Sequence, residues 1–270
     1  MGHEARVIER FQLGFLLTLA ARVPGGWVVK GGVNLRLFHG SPRASKDIDF
    51  DGYVPLDGLA SRVNAVLSGP ALSMDLDRAQ LRLVDLHPAK MTPTTLRWKP
   101  ELQDQHRRTF STKLEFSSRL LLEPQSAVDW MLAHHRQGIV GAQLRNRHSM
   151  AVAPSAPHYD AAAAYEQKIA ALALRGDTKS RDVFDMNWLL AYDAASCSTA
   201  PGRHAAEAAE RASELGYEQF TTEVVPFLDE GDVDVYGNRG AWTQMQTRVL
   251  EALLGHAPWP PSTDDGKVRG

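Results

Sequence analysis

Residues 27–52 constrain the fold more than any other stretch of the chain. Trp27-Val28-Val29-Lys30 is a short apolar, β-branched run, Gly31-Gly32 follow it, and residues 33–39 carry helical spacing. Asp47-Ile48-Asp49-Phe50-Asp51 then alternates charged with apolar side chains. Strict alternation fits a strand, in which every second residue shares a face, so Ile48 and Phe50 enter a core while Asp47 and Asp49 point together to the other side. The path strand, glycine turn, short helix, strand can fold back and bring the glycines and the carboxylates to one cleft.

That cleft has a definite chemistry. Glycine has no side chain, so the backbone N–H groups of Gly31 and Gly32 can approach phosphate oxygens closely, and a helix N-terminus adds a favourable dipole. Two carboxylates on one strand face can hold one or two Mg²⁺ or Mn²⁺ ions, hard cations that also coordinate phosphates. Arg43 and Ser45 lie just before the strand and can reach the same phosphates. Each part alone is weak: a Gly-Gly pair is ordinarily a turn, and an Asp-x-Asp is ordinarily a solvated strand edge. A helix length between them makes the combination more specific. Lys113-Leu114-Glu115-Phe116-Ser117 alternates in the same way. Glu115 is therefore the candidate third carboxylate of a two-metal site, or else a solvent-facing residue on an edge strand.

The remaining chain reads as α and β mixed, then helical. Helices are expected near 4–22 and 54–67, and a strand from Leu81 to Leu86. Ser126 with Asp129 marks a helix start, and residues 138–158 show no periodicity. Further helices are expected at 160–174, 181–192, 203–215 and 239–254, the last two on the surface, with a frayed tail over 258–270. This divides the chain into an α/β catalytic domain, 1–125, a helical domain, 126–257, and the tail. Lys168 and Arg175 share a helical face, and Asp182 and Asp185 share another on the next helix. They can serve a ligand or simply pair with each other.

Charge narrows the partners. The 270 residues carry a net charge of −2, with 43% hydrophobic and 23% charged residues, so a uniformly basic nucleic-acid coat is excluded. Residues 78–148 nevertheless hold 12 basic and 6 acidic side chains, whereas residues 182–270 hold 6 and 15. In the basic segment Arg97, Lys99, Arg107 and Arg108 mingle with Trp98 and His106, which suits a phosphate-rich partner or a solvated face balanced by the acidic third. The one cysteine, Cys197, makes no internal disulfide and no zinc pair, so a reducing cytoplasm is expected. Phe11–Ala21 is too short for a membrane span of about 20 residues, and Glu4 and Glu9 interrupt the basic flank of a signal peptide.

Taken together, these motifs resemble the nucleotidyltransferase superfamily with its DNA-polymerase-β-like fold. More closely they resemble the AbiEii/AbiGii toxin family, which includes the MenT toxins. The resemblance lies in Lys30-Gly31-Gly32 with Leu35 and Leu37, Arg43-x-Ser45-x-Asp47-Ile-Asp49-Phe50, Lys113-Leu-Glu115-Phe-Ser117, and Lys168 with Ala171, Arg175 and Arg181-Asp182-x-x-Asp185. It implies a mixed-sheet catalytic domain followed by a helical domain, with NTP and Mg²⁺ or Mn²⁺ as cofactors and release of pyrophosphate. Asp47 and Asp49 would bind metal, joined by Glu115. Lys30, Gly31, Gly32, Arg43, Ser45, Lys168, Arg175 and Arg181 would bind NTP, and Asp182 would be a further catalytic or orienting carboxylate. The implied acceptor is the 3′ end of tRNA, with translation blocked as the result, and the implied partner is a separately encoded antitoxin. Other readings are transfer to a small molecule or a protein side chain, a non-catalytic nucleotide-binding regulator, and a glycosyltransferase using Asp-x-Asp. The basic segment favours a polyanionic acceptor over a cationic small molecule.

Overall fold

The computed structural model describes residues 1–23, 25–118, 135–139, 155–193, 197 and 204–255. Its strands are β1 (Trp27–Lys30), β2 (Asp47–Gly52), β3 (Leu81–Thr92), β4 (Thr95–Asp104), β5 (Thr109–Ser111), β6 (Lys113–Ser117), β7 (His135–Ile139) and β8 (Ser155–Tyr159). They form one mixed sheet in the order β3-β4-β6-β2-β1-β8-β7, with β5 paired to β4. β2 runs parallel to β6 and antiparallel to β1, and β8 runs parallel to β1. The helices are α1 (His3–Arg22), α2 (Gly31–Phe38), α3 (Leu56–Leu67), α4 (Pro70–Arg78), α5 (Ala161–Leu174), α6 (Ser180–Tyr192), α7 (Ala205–Ser213), α8 (Tyr217–Glu223), α9 (Glu230–Tyr236) and α10 (Arg239–Leu253). Among the described residues, no helix is long and apolar enough to cross a membrane.

The sheet has one apolar face, as alternation requires. Ile48 and Phe50 of β2, Leu114 and Phe116 of β6 and Leu96, Trp98 and Leu102 of β4 are buried together with Phe11, Phe15 and Leu19 of α1 and Leu59 and Val63 of α3. Phe50 stacks on Phe116 with ring centroids 4.4 Å apart. Trp98 donates its indole N–H to Asn64 Oδ1 at 2.9 Å, which satisfies the polar atom that a buried Trp must bring with it. A second core joins α5, α6, α7, α8 and α10. Helix α2 connects the two, with Val33 and Leu37 in the sheet core and Leu35 in the helical core.

Three details depart from the sequence reading. The helix expected over 54–67 is followed by a second, α4, which Gly69 and Pro70 separate: a Cβ on Gly69 would lie 2.7 Å from the Ala65 carbonyl oxygen, and Pro70 opens the new helix. Arg97 and Lys99 of the basic segment lie on a strand, β4, hidden because Pro100 interrupts its pattern. Residues 138–158 contain β8 and the end of β7, so the second half is not wholly helical; Pro157 and Gly138 conceal the pairing. Helices α7 and α10 lie on the surface with one face packed inward: they bury Ala205, Ala208, Ala209 and Ala212, and Trp242, Met245, Val249 and Leu253, while Glu207, Glu210, Thr243 and Thr247 are exposed. The helix start at Ser126 and the tail over 258–270 lie outside the described residues.

Candidate active site

Paired residues of a pleated sheet point to the same side. Register therefore sets Lys30 beside Asp49, Asp49 beside Glu115, and Glu115 beside Arg97, across β1, β2, β6 and β4. The side chains of Asp47, Asp49 and Glu115 are 28%, 32% and 20% exposed. Among them sits Lys113, whose Nζ lies 3.2 Å from Asp47 Oδ2, 3.8 Å from Asp49 Oδ1 and 3.9 Å from Glu115 Oε2. Arg97 donates to Glu115 Oε2 from Nε at 2.7 Å, with Nη2 at 2.6 Å from the same oxygen. Lys30 Nζ donates to Asp51 Oδ1 at 2.5 Å, and the Tyr159 hydroxyl donates to Asp51 Oδ2 at 2.7 Å. Desolvation pushes the Asp49 carboxyl above its ordinary range, helped by Asp47 and Glu115 and only partly opposed by Lys113 and Lys30. Desolvation lowers the Lys113 ammonium, but Asp49, Asp47 and Glu115 outweigh it and hold the proton on.

The glycines close against this face. Gly31 has φ +68°, where a Cβ is disfavoured, and its Cβ would meet Asp49 Oδ2 at 3.4 Å. A Cβ on Gly32 would come to 2.8 Å from Ser45 Oγ and 2.9 Å from Arg43 Nη2. Ser45 Oγ donates to the Asp47 carbonyl at 2.8 Å, which fixes the entry to β2.

Helices α5 and α6 supply a different cluster. Lys168 Nζ lies 2.8 Å from Asp182 Oδ1 and 2.7 Å from Asp185 Oδ2. Arg175 Nη1 lies 2.7 Å from Asp182 Oδ2. Arg43 grips Asp185 with Nε at 3.0 Å and Nη2 at 2.9 Å, tying the lead-in to β2 to a helix 142 residues away. Asp182 and Asp185 are fully buried. Burial raises the Asp185 carboxyl, but Arg43 and Lys168 outweigh it and hold it below the usual range.

A cleft of about 460 Å³ joins the two clusters. It is lined by Lys30, Gly31, Gly32, Arg43, Ser45, Asp47, Asp49 and Glu115 from the first half and by Lys168, Arg175, Arg181 and Asp182 from the second. Lys113 and Ser117, the ends of the Lys113–Ser117 motif in which only Glu115 has an expected role, complete the lining together with Asp177 and Lys179, which lie in no motif. Alternation with Glu115 puts Lys113 on the correct face, but its place among three carboxylates comes from the pairing of β6 with β2. Lys179 is held by Asp177 and, at 3.3 Å, by Glu223.

The basic residues expected to hold RNA are split. Arg97 adjoins the cleft through Glu115, and Lys99 is exposed two residues further along β4. Arg107 and Arg108 follow the other end of β4, roughly 20 Å beyond Arg97 by strand rise. There Arg108 holds Asp104 at 2.7 Å. The donor set fits a divalent metal: three carboxylates on neighbouring positions of one face offer hard oxygen ligands, and the place already attracts a cation. A second group of possible ligands, Asp85, His87 and Glu101, lies on the β3–β4 hairpin outside the cleft, with ligand atoms within 4.8 Å of one another. Strand pairing sets Asp85 opposite Glu101, which spacing along the chain could not show.

Comparisons agree with this architecture. JHP933 from Helicobacter pylori superposes with a TM-score of 0.51 at 18% identity, over 94% of this chain and 95% of that one. A candidate nucleotidyltransferase from H. pylori superposes with a TM-score of 0.56 at 17% identity, over 94% of each chain. At such identities the likeness establishes the fold. No curated protein sequence matches this chain. The model of the nucleotidyl transferase AbiEii toxin family, of type IV toxin–antitoxin systems, matches residues 19–261. With nearly the whole chain matched, the protein belongs to the AbiEii nucleotidyltransferase toxin family.

Proposed function

We propose that the chain transfers a nucleoside monophosphate from an NTP to the 3′ end of tRNA and thereby blocks translation. What carries the reading is the cleft itself: a carboxylate group on the sheet and a cationic group on the helices share about 460 Å³, with Gly31 and Gly32 between them. Asp47, Asp49 and Glu115 are the residues that would hold Mg²⁺. When bound, Mg²⁺ neutralises triphosphate charge and makes the α-phosphorus a better electrophile. Lys30, Lys168, Arg175 and Arg181 orient the phosphates, with Arg43 and Ser45 bracing the turn that receives them. The acceptor hydroxyl oxygen bonds to the α-phosphorus, the bond to the β-phosphate oxygen breaks, and pyrophosphate leaves. The hydroxyl proton passes to Asp49 or Glu115. Asp182 acts by holding Lys168 and Arg175 in place. In this reading the α/β catalytic part, expected to end near residue 125, takes in β7 and β8 as well and runs to Tyr159, and the helical part from α5 onward completes the nucleotide and acceptor site. Arg97 and Lys99 lead the acceptor strand to the cleft, with Arg107 and Arg108 at its far end. The family's type IV systems pair the toxin with an antitoxin.

Incubation with total RNA and each labelled NTP in Mg²⁺ tests the proposal. Label in a tRNA-sized band is expected, and tRNA lacking its terminal 3′ hydroxyl should accept none. Label on protein alone would assign a different acceptor.

A further inference from the structure

We propose that the Lys113 ammonium is an internal substitute for the divalent cation, and that metal and nucleotide load the site by displacing it. This rests on the reading that Asp47, Asp49 and Glu115 hold metal.

Three carboxylates on one sheet face repel one another, and a cation among them relieves the repulsion. Lys113 supplies that cation from the same strand as Glu115, with all three carboxylates within 3.9 Å of Nζ. Its distances of 3.2, 3.8 and 3.9 Å show an ammonium shared among partners rather than fixed to one. Lys168 gives the contrast: its Nζ sits 2.7 and 2.8 Å from two carboxylates, with its side chain 9% exposed. The Lys113 side chain is 30% exposed. It can leave by rotating its own torsions, because the backbone of β6 is pinned by β2 and β4.

An ammonium and a dication cannot occupy one place among the same oxygens. Free metal must therefore compete with Lys113 and binds weakly. A triphosphate in the cleft offers the displaced ammonium a new anionic partner, so nucleotide strengthens metal binding. The enzyme is thus loaded by the metal–nucleotide complex rather than by metal first.

Mn²⁺ alone, followed by electron paramagnetic resonance of the free ion, provides the test. Lys113→Met should bind Mn²⁺ at least tenfold more tightly than the unaltered protein. Lys30→Met removes an equal charge beside the carboxylates without vacating a place among them, and should change affinity less than threefold. A non-hydrolysable triphosphate should strengthen Mn²⁺ binding more in the unaltered protein than in Lys113→Met. A gain in Lys113→Met no larger than that in Lys30→Met overturns the proposal. Asp49→Asn separates it from the underlying reading: unchanged Mn²⁺ affinity in that variant defeats the metal site itself. The unaltered protein gives a measurement that needs no variant. Amine-specific labelling read by mass spectrometry should modify Lys113 faster in saturating Mn²⁺, and equal labelling with and without the ion also overturns the displacement.

Discussion

The two ionic clusters that meet at the cleft are built on opposite terms. On the sheet, Asp47, Asp49 and Glu115 outnumber the cations Lys113 and Arg97 that touch them, and their side chains are a fifth to a third exposed. On the helices, Asp182 and Asp185 are outnumbered by Lys168, Arg175 and Arg43, and both carboxylates are buried. The first cluster has surplus negative charge within reach of solvent, so its partners can be exchanged. In the second the contacts are short and both carboxylates are buried, so the Arg43–Asp185–Lys168 contacts are fixed, while Arg175, 46% exposed, holds Asp182 from the solvent side. The proposed metal–triphosphate carries both signs and would meet each surplus with its opposite.

Substitutions can break this contrast. The largest expected effect is on chemistry in the exchangeable cluster. Asp49→Asn should lower transfer by about four orders of magnitude or more, about 5 kcal/mol in activation energy, while thermal unfolding stays within about 1 kcal/mol of the parent. Transfer at the parent rate would show the sheet carboxylates to be idle. Next comes the fixed cluster. Asp185→Ala leaves Arg43 and Lys168 with one buried partner fewer and should cost about 3 to 5 kcal/mol of stability by chemical denaturation. A loss below about 1 kcal/mol would place it with the exchangeable pairs. Gly32→Ala sharpens the boundary between the two. Its Cβ forces Ser45 and Arg43 aside, at about 1 to 3 kcal/mol, and nucleotide affinity should fall with it. The smallest effect is expected farthest away. Arg107→Ala with Arg108→Ala should weaken tRNA binding a few-fold and lower the salt slope by about 0.7 to 0.9 for each phosphate no longer neutralised. NTP binding should be unchanged; a fall in NTP affinity would extend the cleft along β4.

What the sequence makes legible is local. Alternation in Asp47–Asp51 and Lys113–Ser117 sets the faces of β2 and β6, and helical spacing puts Lys168 with Arg175 and Asp182 with Asp185. The partnerships are not legible. Arg43 and Asp185 are 142 residues apart, and nothing along the chain announces that a residue expected to meet phosphate is gripped by a buried carboxylate. Lys113 is visible as a neighbour of Glu115, but its position among three acids follows from parallel pairing of β2 with β6, which alternation does not specify. Arg97 and Lys99 stand out for their charge. The Leu96, Trp98 and Leu102 between and beyond them, which make β4 a strand, do not stand out, because Pro100 breaks the run. β8 is concealed for a similar reason at Pro157.

That last strand has a consequence for dissection of the protein. β8 lies beside β1, its Tyr159 reaches Asp51, and α5 starts two residues later. Helix α5, which carries Lys168, is therefore a direct extension of the sheet that carries Asp47, Asp49 and Glu115. A fragment ended near residue 125 would lose the neighbour of β1 and bare its edge, a template for self-association. Separately made halves should be aggregation-prone on the sheet side and should recover only when mixed, so complementation of fragments is a more promising way to control this protein than isolation of the first 125 residues.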